Sequence, residues 1–439
     1  MTSTVLLVGG GGREHAMAAA IREAMDPNDP GANDVELYAC SSNRNPGLAR
    51  LCEDVKTLDE TDTEEVVEYA LEIEAEVAVI GPEAPLAAGV VDALEEADIY
   101  TFGPTAALAR IETDKAYQRE FMRENDIPGC PEFAVFDDPD EACAYIDESA
   151  VDLAVKPAGL TGGKGVKVIG DQVTAEEAKD YIRESEYERF VLEERLVGEE
   201  FTVQALVANG ELRATPAVQD HKRVEEGDEG PNTGGMGSYS AAELALPFMD
   251  EDDYHDAVEI LYRTVNALDG YRGILYGQFM LTSDGVKVIE YNARFGDPEA
   301  MNTLPIMNTA FNDVLEAAQN GESLPQLSFA PRATVCKYAV PKGYPTDPED
   351  GVELDIEDPD ITDALLFYAS VDEREDGIYS TTSRSIAVVG IAKTIEEAEA
   401  RATEALDAIG VEDLHVRHDI GTPDLIEARI DHIAELREK

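Results

Sequence analysis

Lys156-Pro157-Ala158-Gly159-Leu160-Thr161-Gly162-Gly163-Lys164-Gly165-Val166 joins two short stretches with strand character, Leu153 to Lys156 and Val166 to Ile169. The glycines let a backbone approach a polyphosphate closely, and one lysine ends a strand while the other sits inside the loop. The segment is not a P-loop, because Gly-Lys is not followed by Ser or Thr and a strand rather than a helix comes next. A glycine-rich hairpin without a ligand is the plainer reading. It does not explain two lysines in a chain whose 34 basic and 93 acidic residues leave a net charge of −59. A mobile lid over phosphates does.

Upstream of this hairpin the pattern is different. Val5 to Val8 runs into Gly9 to Gly12, and a helical pattern follows from Arg13 to Met25. Strand-like runs recur at Val35 to Ala39, Val77 to Ile80 and Ile99 to Phe102, separated by helical stretches at Thr63 to Ile73 and Leu86 to Ala97. Such alternation predicts a small parallel α/β domain over 1–104. After a helix at Asp114 to Asn125 and the hairpin come a helix at Ala175 to Glu184 and a strand at Phe190 to Glu193. Antiparallel strands are expected at Phe201 to Val207, Leu212 to Val218, Ile274 to Leu281 and Val286 to Glu290. The long segment Gln219 to Ser240 reads as a loop and Asp252 to Leu268 as a helix. Beyond Pro331 the pattern restarts with strands at Ala333 to Val340 and Ile386 to Ile391 and a helix at Ile395 to Ile409. The expected fold class is a multidomain mixture of α/β and α+β, divided as 1–104, 105–330 and 331–439.

The acidic residues are spread through amphipathic segments rather than gathered in a tail, as in a solvated surface adapted to a high-salt cytosol. A charge of that sign repels nucleic acid. No stretch approaches the ~20 apolar residues of a membrane span, and the N-terminus has no basic region followed by a long apolar run. Cys40, Cys52, Cys130, Cys143 and Cys336 form no CxxC pair and read as free thiols of a reducing compartment. A soluble cytoplasmic protein is expected.

Five clusters carry candidate chemistry. Gly9 to Gly12 resembles a dinucleotide fingerprint. The second strand, however, ends in Ala39-Cys40-Ser41 without the acid that reads a ribose, so a phosphate contact or a packing turn is favoured over a nicotinamide site. Lys156 to Val166 is the second cluster. Glu193-Glu194-Arg195-Leu196-Val197-Gly198-Glu199-Glu200 could face solvent or a nucleoside. Gln278 on one strand and Glu290 and Asn292 on the next place oxygen donors at alternating positions, as a hard cation shared with phosphates requires. Arg294-Phe295-Gly296-Asp297-Pro298-Glu299 follows them. Last, Gln219-Asp220-His221-Lys222-Arg223 precedes Gly230-Pro231-Asn232-Thr233-Gly234-Gly235-Met236-Gly237-Ser238, a basic, glycine-rich segment suited to enclosing a ligand. There His221 reads as positioning a substrate rather than as a general base.

Taken together, Gly9 to Ala16 (GGGGREHA), Gly81 to Gly89 (GPEAPLAAG), Phe102 to Thr105 (FGPT), Lys156 to Val166, Gln219 to Arg223 (QDHKR), Gly230 to Ser240 (GPNTGGMGSYS) and Val288 to Glu299 (VIEYNARFGDPE) resemble the phosphoribosylamine-glycine ligase family of the ATP-grasp superfamily, over nearly the whole chain. The resemblance implies an ATP-grasp core whose mobile subdomain spans about 118–192. It implies that Lys115 and Lys156 contact ATP phosphates under a lid around Lys164 and Gly165. The strand from Glu193 and Glu194 to Leu196 would meet adenine, and Glu199 or Glu200 the ribose. Gln278, Glu290 and Asn292 would hold Mg²⁺ or Mn²⁺. Arg294, with Lys164 and Asp297, would serve catalysis, and Gly12, Asp220, Lys222, Arg294 and Asp297 would bind the substrates glycine and 5-phosphoribosylamine. A monomer, with weak self-association open to it, is expected, with neither nucleic acid nor membrane as partner. The chain departs from the family pattern at Ser42-Asn43-Arg44-Asn45-Pro46-Gly47, where a PGNAG-like turn is usual, and at Lys156-Pro157-Ala158-Gly159, where Lys-Ala-Asp-Gly is usual. Rival readings are another ATP-grasp ligase of nucleotide metabolism, a nucleotide-binding regulator without turnover, and a nicotinamide oxidoreductase.

Overall fold

The computed structural model describes residues 3–23, 33–159, 165–354, 356, 364–410 and 413–438. The strand Thr4–Val8, apolar and buried from Val5 on, is the centre of a five-stranded parallel sheet in the spatial order Asp54–Thr57, Glu36–Ser41, Thr4–Val8, Val77–Ile80, Tyr100–Phe102. The chain winds outward to one side of Thr4–Val8 and then returns to the other. A switch point therefore lies between the carboxyl ends of Thr4–Val8 and Val77–Ile80, where doubly wound sheets open a crevice. Two details differ from the sequence reading. Asp54–Thr57 is a strand in which only Val55 is buried, so it carries no apolar alternation to read. The helix expected at Leu86 to Ala97 is two helices, Glu83–Ala88 and Val90–Glu96, because Gly89 at φ 85° takes the left-handed conformation that ends the first.

The glycine-rich segment belongs to a four-stranded antiparallel sheet in the order Phe133–Phe136, Phe190–Glu194, Leu153–Pro157, Lys167–Val168. Helices Pro139–Glu148 and Ala175–Glu184 close a core of their own with it. In that core Ile146, Leu153, Val155, Ile182, Phe190 and Leu192 pack together, apart from the main core of the chain. A unit with a separate core can shift as a body.

The third sheet has ten strands. Its path runs Gly285–Asn292, Gly273–Thr282, Gly198–Ala208, Val218–Asp220, Gly237–Ser240, Ala333–Val340, Ile386–Ala392, Ala364–Tyr368. Gln219 to Ser240, read as a loop, contains the end of one strand of this sheet, a small hairpin (Arg223–Glu225 with Glu229–Asn232) and the strand Gly237–Ser240. Its glycines hid the pairing. Gly237–Ser240 pairs antiparallel with Ala333–Val340, so the sheet continues without a break past residue 330. A C-terminal helix, Pro423–Arg437, with no counterpart in the sequence reading, packs beside Gly198–Ala208.

Candidate active site

Two cavities, about 570 and 410 Å³, meet where Asp220, Lys222 and Glu290 form a shared wall. The larger lies between the four-stranded and ten-stranded sheets, lined on its apolar walls by Ala154, Val168, Leu196, Met280 and Ile289. The smaller opens at the switch point of the parallel sheet and is bordered by Gly10 to Glu14, Glu83, Arg294, Asp297, Glu299 and Arg384.

Lys156 and Glu193 stand on paired strands, where Ala154 faces Glu193 and Lys156 faces Val191. The Lys156 ammonium lies 2.7 Å from Glu193 Oε2 and donates to the Ile289 carbonyl at 3.2 Å. Arg119 grips the same carboxylate through Nε (2.8 Å) and Nη2 (3.0 Å), and Nη2 also reaches the carbonyls of Val288 (3.0 Å) and Ile289 (2.7 Å). Burial pushes the Glu193 carboxyl up, but Arg119 and Lys156 outweigh it and hold it at about 2. Glu193 thus holds Lys156, whose ammonium reaches the opposite sheet at the Ile289 carbonyl, and the Glu193 side chain has no freedom to read a base. Glu194 sits at the rim and accepts from the Glu132 amide at 3.0 Å. Lys115 donates its Nζ to the Gly159 carbonyl at 3.2 Å, at the stem of the glycine-rich segment. Gly165 accepts from the Tyr181 hydroxyl at 2.9 Å, whereas Lys164 lies outside the described residues.

Glu199 and Glu200 are neighbours in a strand and so point to opposite faces. Glu199 is taken up by the C-terminal helix. His432 Nδ1 is 2.5 Å from one carboxylate oxygen, Arg429 Nε is 3.3 Å from the other, and Gln219 adds a contact at 3.4 Å. Among the described residues the Glu200 side chain accepts from Gln278 Nε2, at 2.7 Å.

Gln278 pairs with Glu290 across the strands, and Asn292 pairs with Tyr276 two residues on. Lys222 Nζ donates to Gln278 Oε1 at 2.7 Å and stands 4.0 Å from Glu290 Oε1. Burial raises the Glu290 carboxyl, but Lys222, Lys115 and Lys156 outweigh it and keep it below its ordinary value. These side chains supply hard oxygen donors only, and an ammonium already lies against two of them. They fit a magnesium or manganese ion shared with phosphate oxygens. Among the described residues no three His, Cys, Asp or Glu side chains form a metal cluster, so such an ion would rely on amide and phosphate oxygens besides Glu290.

In the smaller cavity Arg294 is anchored by Glu112 at 2.9 Å and Glu83 at 3.6 Å, and Glu112 also accepts from the Ala293 amide at 2.7 Å. Asp297 accepts from the Tyr338 hydroxyl at 2.5 Å and pairs with Arg384 at 3.2 Å. Gly12 packs under that pair so closely that a Cβ would lie 2.6 Å from the Tyr338 oxygen. The helix beginning there is capped from within the chain, since Glu14 accepts from the Gly11 amide at 2.6 Å. Asp220 Oδ1 is buried with no hydrogen-bond partner among the described residues, and burial first, then Glu299, pushes its carboxyl well up. The loop that departs from the family pattern ties the parallel sheet to the C-terminal part. Asn45 Nδ2 donates to the carbonyls of Gly10 (2.9 Å) and Tyr368 (2.8 Å), and Asn43 Nδ2 to that of Val371 (2.6 Å).

His221 lines the larger cavity with both ring nitrogens buried and unpartnered among the described residues. Burial lowers it to about 3, which leaves a neutral imidazole too weak for general-base work near neutrality. The sequence reading brought Lys115, Lys156, Gln278, Glu290, Asn292, Lys222, Asp220, Arg294 and Asp297 to this cleft. It did not single out Arg119, Glu83, Glu112 or Arg384, whose partners are far away in sequence.

A small antiparallel sheet facing a larger one across a cavity, with a lysine from the small sheet and a carboxylate-amide face on the large one, defines an ATP-grasp protein. The chain belongs to the phosphoribosylglycinamide synthetase family. Family models match its N domain at residues 3–112, its ATP-grasp (A) domain at 113–300 and its C domain at 334–423. It is 52% identical to the phosphoribosylamine–glycine ligase of Methanococcoides burtonii, with 99% of each chain covered, and 47% identical to that of Methanocaldococcus jannaschii, again with 99% of each covered. Among solved structures, the phosphoribosylamine–glycine ligase of Thermotoga maritima superposes with a TM-score of 0.79 at 26% identity, covering 95% of this chain and 99% of that one. The N5-carboxyaminoimidazole ribonucleotide synthetase of the same organism, at 16% identity and a TM-score of 0.65, shares the fold.

Proposed function

We infer that the chain joins glycine to 5-phosphoribosylamine at the expense of ATP, giving glycinamide ribonucleotide, ADP and phosphate in de novo purine biosynthesis. The observation that carries this reading is the shared wall of Asp220, Lys222 and Glu290. A nucleotide in the larger cavity would end its phosphate chain where the smaller cavity begins.

In this reading adenine lies between Ala154, Val168, Met280 and Ile289, against the backbone of Glu193 to Leu196. Glu200 rather than Glu199 takes the ribose, because Glu199 is held by the C-terminal helix. Lys115 and Lys156 neutralise phosphates, the latter aimed by Glu193, and Lys164 and Gly165 close over them. Gln278, Glu290 and Asn292 would hold a divalent cation, which would supply positive charge against the phosphates. Arg294, held by Glu112 and Glu83, faces the transferring phosphoryl group. Asp297, Lys222, Asp220 and Gly12 border the acceptors. The glycine carboxylate attacks the γ-phosphorus and displaces ADP, which remains bound, to give glycyl phosphate. The phosphoribosylamine nitrogen then attacks the carbonyl of glycyl phosphate and phosphate departs, the amine proton being lost. Positioning and charge neutralisation supply most of the rate, and closure of the small sheet keeps water from the acyl phosphate.

This reading keeps the division 1–104, 105–330 (mobile part about 118–192) and 331–439, and a cytoplasmic monomer. Among the described residues no helix is long and apolar enough to cross a membrane. A coupled assay of ADP formation, with single amino acids and phosphoribosylamine made in situ, tests it. ADP release strictly dependent on glycine plus phosphoribosylamine is expected, and release with bicarbonate or formate instead would overturn it.

A further inference from the structure

Lys222 stands at the junction of the two cavities, and its surroundings offer its ammonium two places. The first is occupied: Nζ lies 2.7 Å from Gln278 Oε1 and 4.0 Å from Glu290 Oε1, the oxygens proposed above for the divalent cation. The second is a vacancy in hydrogen bonding. Asp220 Oδ1, two residues earlier in the chain, is buried on the wall common to both cavities and has no partner among the described residues. The Lys222 backbone is fixed, its carbonyl accepting from the Thr233 amide at 2.7 Å and the Thr233 hydroxyl at 2.8 Å. Only the four-carbon stem needs to turn. An ammonium and a divalent ion cannot share the same two oxygens, since their repulsion at such distances is strong in a partly buried site.

We propose that Lys222 is an internal counter-ion with two positions, resting between Gln278 and Glu290 until a metal nucleotide displaces it toward Asp220, where it presents its charge to the anionic acceptor in the smaller cavity. The proposal rests on the metal reading of Gln278 and Glu290. It makes nucleotide and acceptor binding cooperative without a change of fold, because the same displacement vacates one site and charges the other.

Direct titration of Mn²⁺ in the presence of ADP, followed by loss of the free-ion paramagnetic resonance signal in the full chain at fixed KCl, separates the possibilities. Lys222→Met removes the competing charge at nearly constant volume. Its Mn²⁺ dissociation constant should fall about tenfold, the scale of one charge-assisted contact, while the KM for glycine rises by a similar factor. A side chain with a merely structural role would weaken both. Lys222→Arg, which keeps the charge, should restore the weaker wild-type metal affinity. Asp220→Asn, which takes the charge from the second position, should weaken Mn²⁺ binding severalfold with the metal oxygens untouched. Unchanged or weakened Mn²⁺ binding in folded Lys222→Met overturns the proposal. Glu290→Gln identifies which layer has failed. If it weakens Mn²⁺ binding while Lys222→Met does not strengthen it, the counter-ion fails alone. If it has no effect on Mn²⁺, the metal reading falls and the proposal with it.

Discussion

Glu193 and Glu290 face the same cavity from opposite sheets, yet they live in different electrostatic worlds. Glu193 is 4% exposed and gripped by a bidentate arginine and a lysine, whereas Glu290 is 27% exposed and its nearest cation among the described residues is 4.0 Å away. The first carboxylate is saturated and holds a lysine in place. The second keeps unspent charge, which a ligand cation can use. Similar neighbours in sequence can therefore conceal opposite roles, and what separates them is how completely each charge is already matched.

The sharpest way to break the comparison is to unmatch the matched acid. Arg119→Met should cost about 3–5 kcal/mol, because it leaves a buried carboxylate with half its compensation. Denaturant unfolding measures this, and a loss below about 1 kcal/mol would mean that the Arg119–Glu193 pair is not what holds Lys156 in position. Glu290→Gln should do the reverse, leaving the unfolding midpoint nearly unchanged while turnover falls roughly tenfold or more, as expected if a contact of about 1.5–3 kcal/mol is lost in the transition state. An unaffected rate at saturating Mg²⁺ would contradict the role given to Glu290.

Acid sharpens the contrast further. The folded Glu193 carboxyl lies at about 2, below its ordinary value of 4.5. Its stabilisation is therefore complete above about 4.5 and is lost as the pH falls through about 2. Stability measured across that window should decline in the wild type, and the decline should be shallower in Glu193→Gln. The smallest effect expected is that of salt. With a net charge of −59, screening that shortens from ~10 Å at 0.1 M to ~3 Å at 1 M relieves surface repulsion but barely touches the buried pair. The melting temperature should rise with KCl, and the increment should be the same in Glu193→Gln. A flat or falling trend would show that the acidic surface is no adaptation to salt.

Much of this could be read from the chain because the governing forces are local. Ala333–Val340 and Ala175–Glu184 fall where apolar periodicity put them. Gln278, Glu290 and Asn292 came together because alternation in paired strands fixes a common face. Strand Asp54–Thr57 buries one side chain and left no pattern. The strand Gly237–Ser240 was hidden by glycines whose pairing partner lies about a hundred residues on. Arg119 and Arg384 were missed for a related reason. A lone arginine in a helix or a turn announces nothing until the fold brings Glu193 or Asp297 to it.

The unbroken ten-stranded sheet has a practical consequence for anyone who cuts or fuses this chain. Gly237–Ser240 and Ala333–Val340 are joined by the register Gly237 to Lys337, Ser238 to Cys336, Tyr239 to Val335 and Ser240 to Thr334. A protein severed near residue 330 would yield two fragments, each ending its sheet in a raw edge of unsatisfied amides and carbonyls. Ala333–Val340 is buried along its whole length in the intact chain. Exposed, it is the kind of flat apolar margin that recruits strands from strangers. Co-expressed halves would be expected to find each other, and a half expressed alone to precipitate.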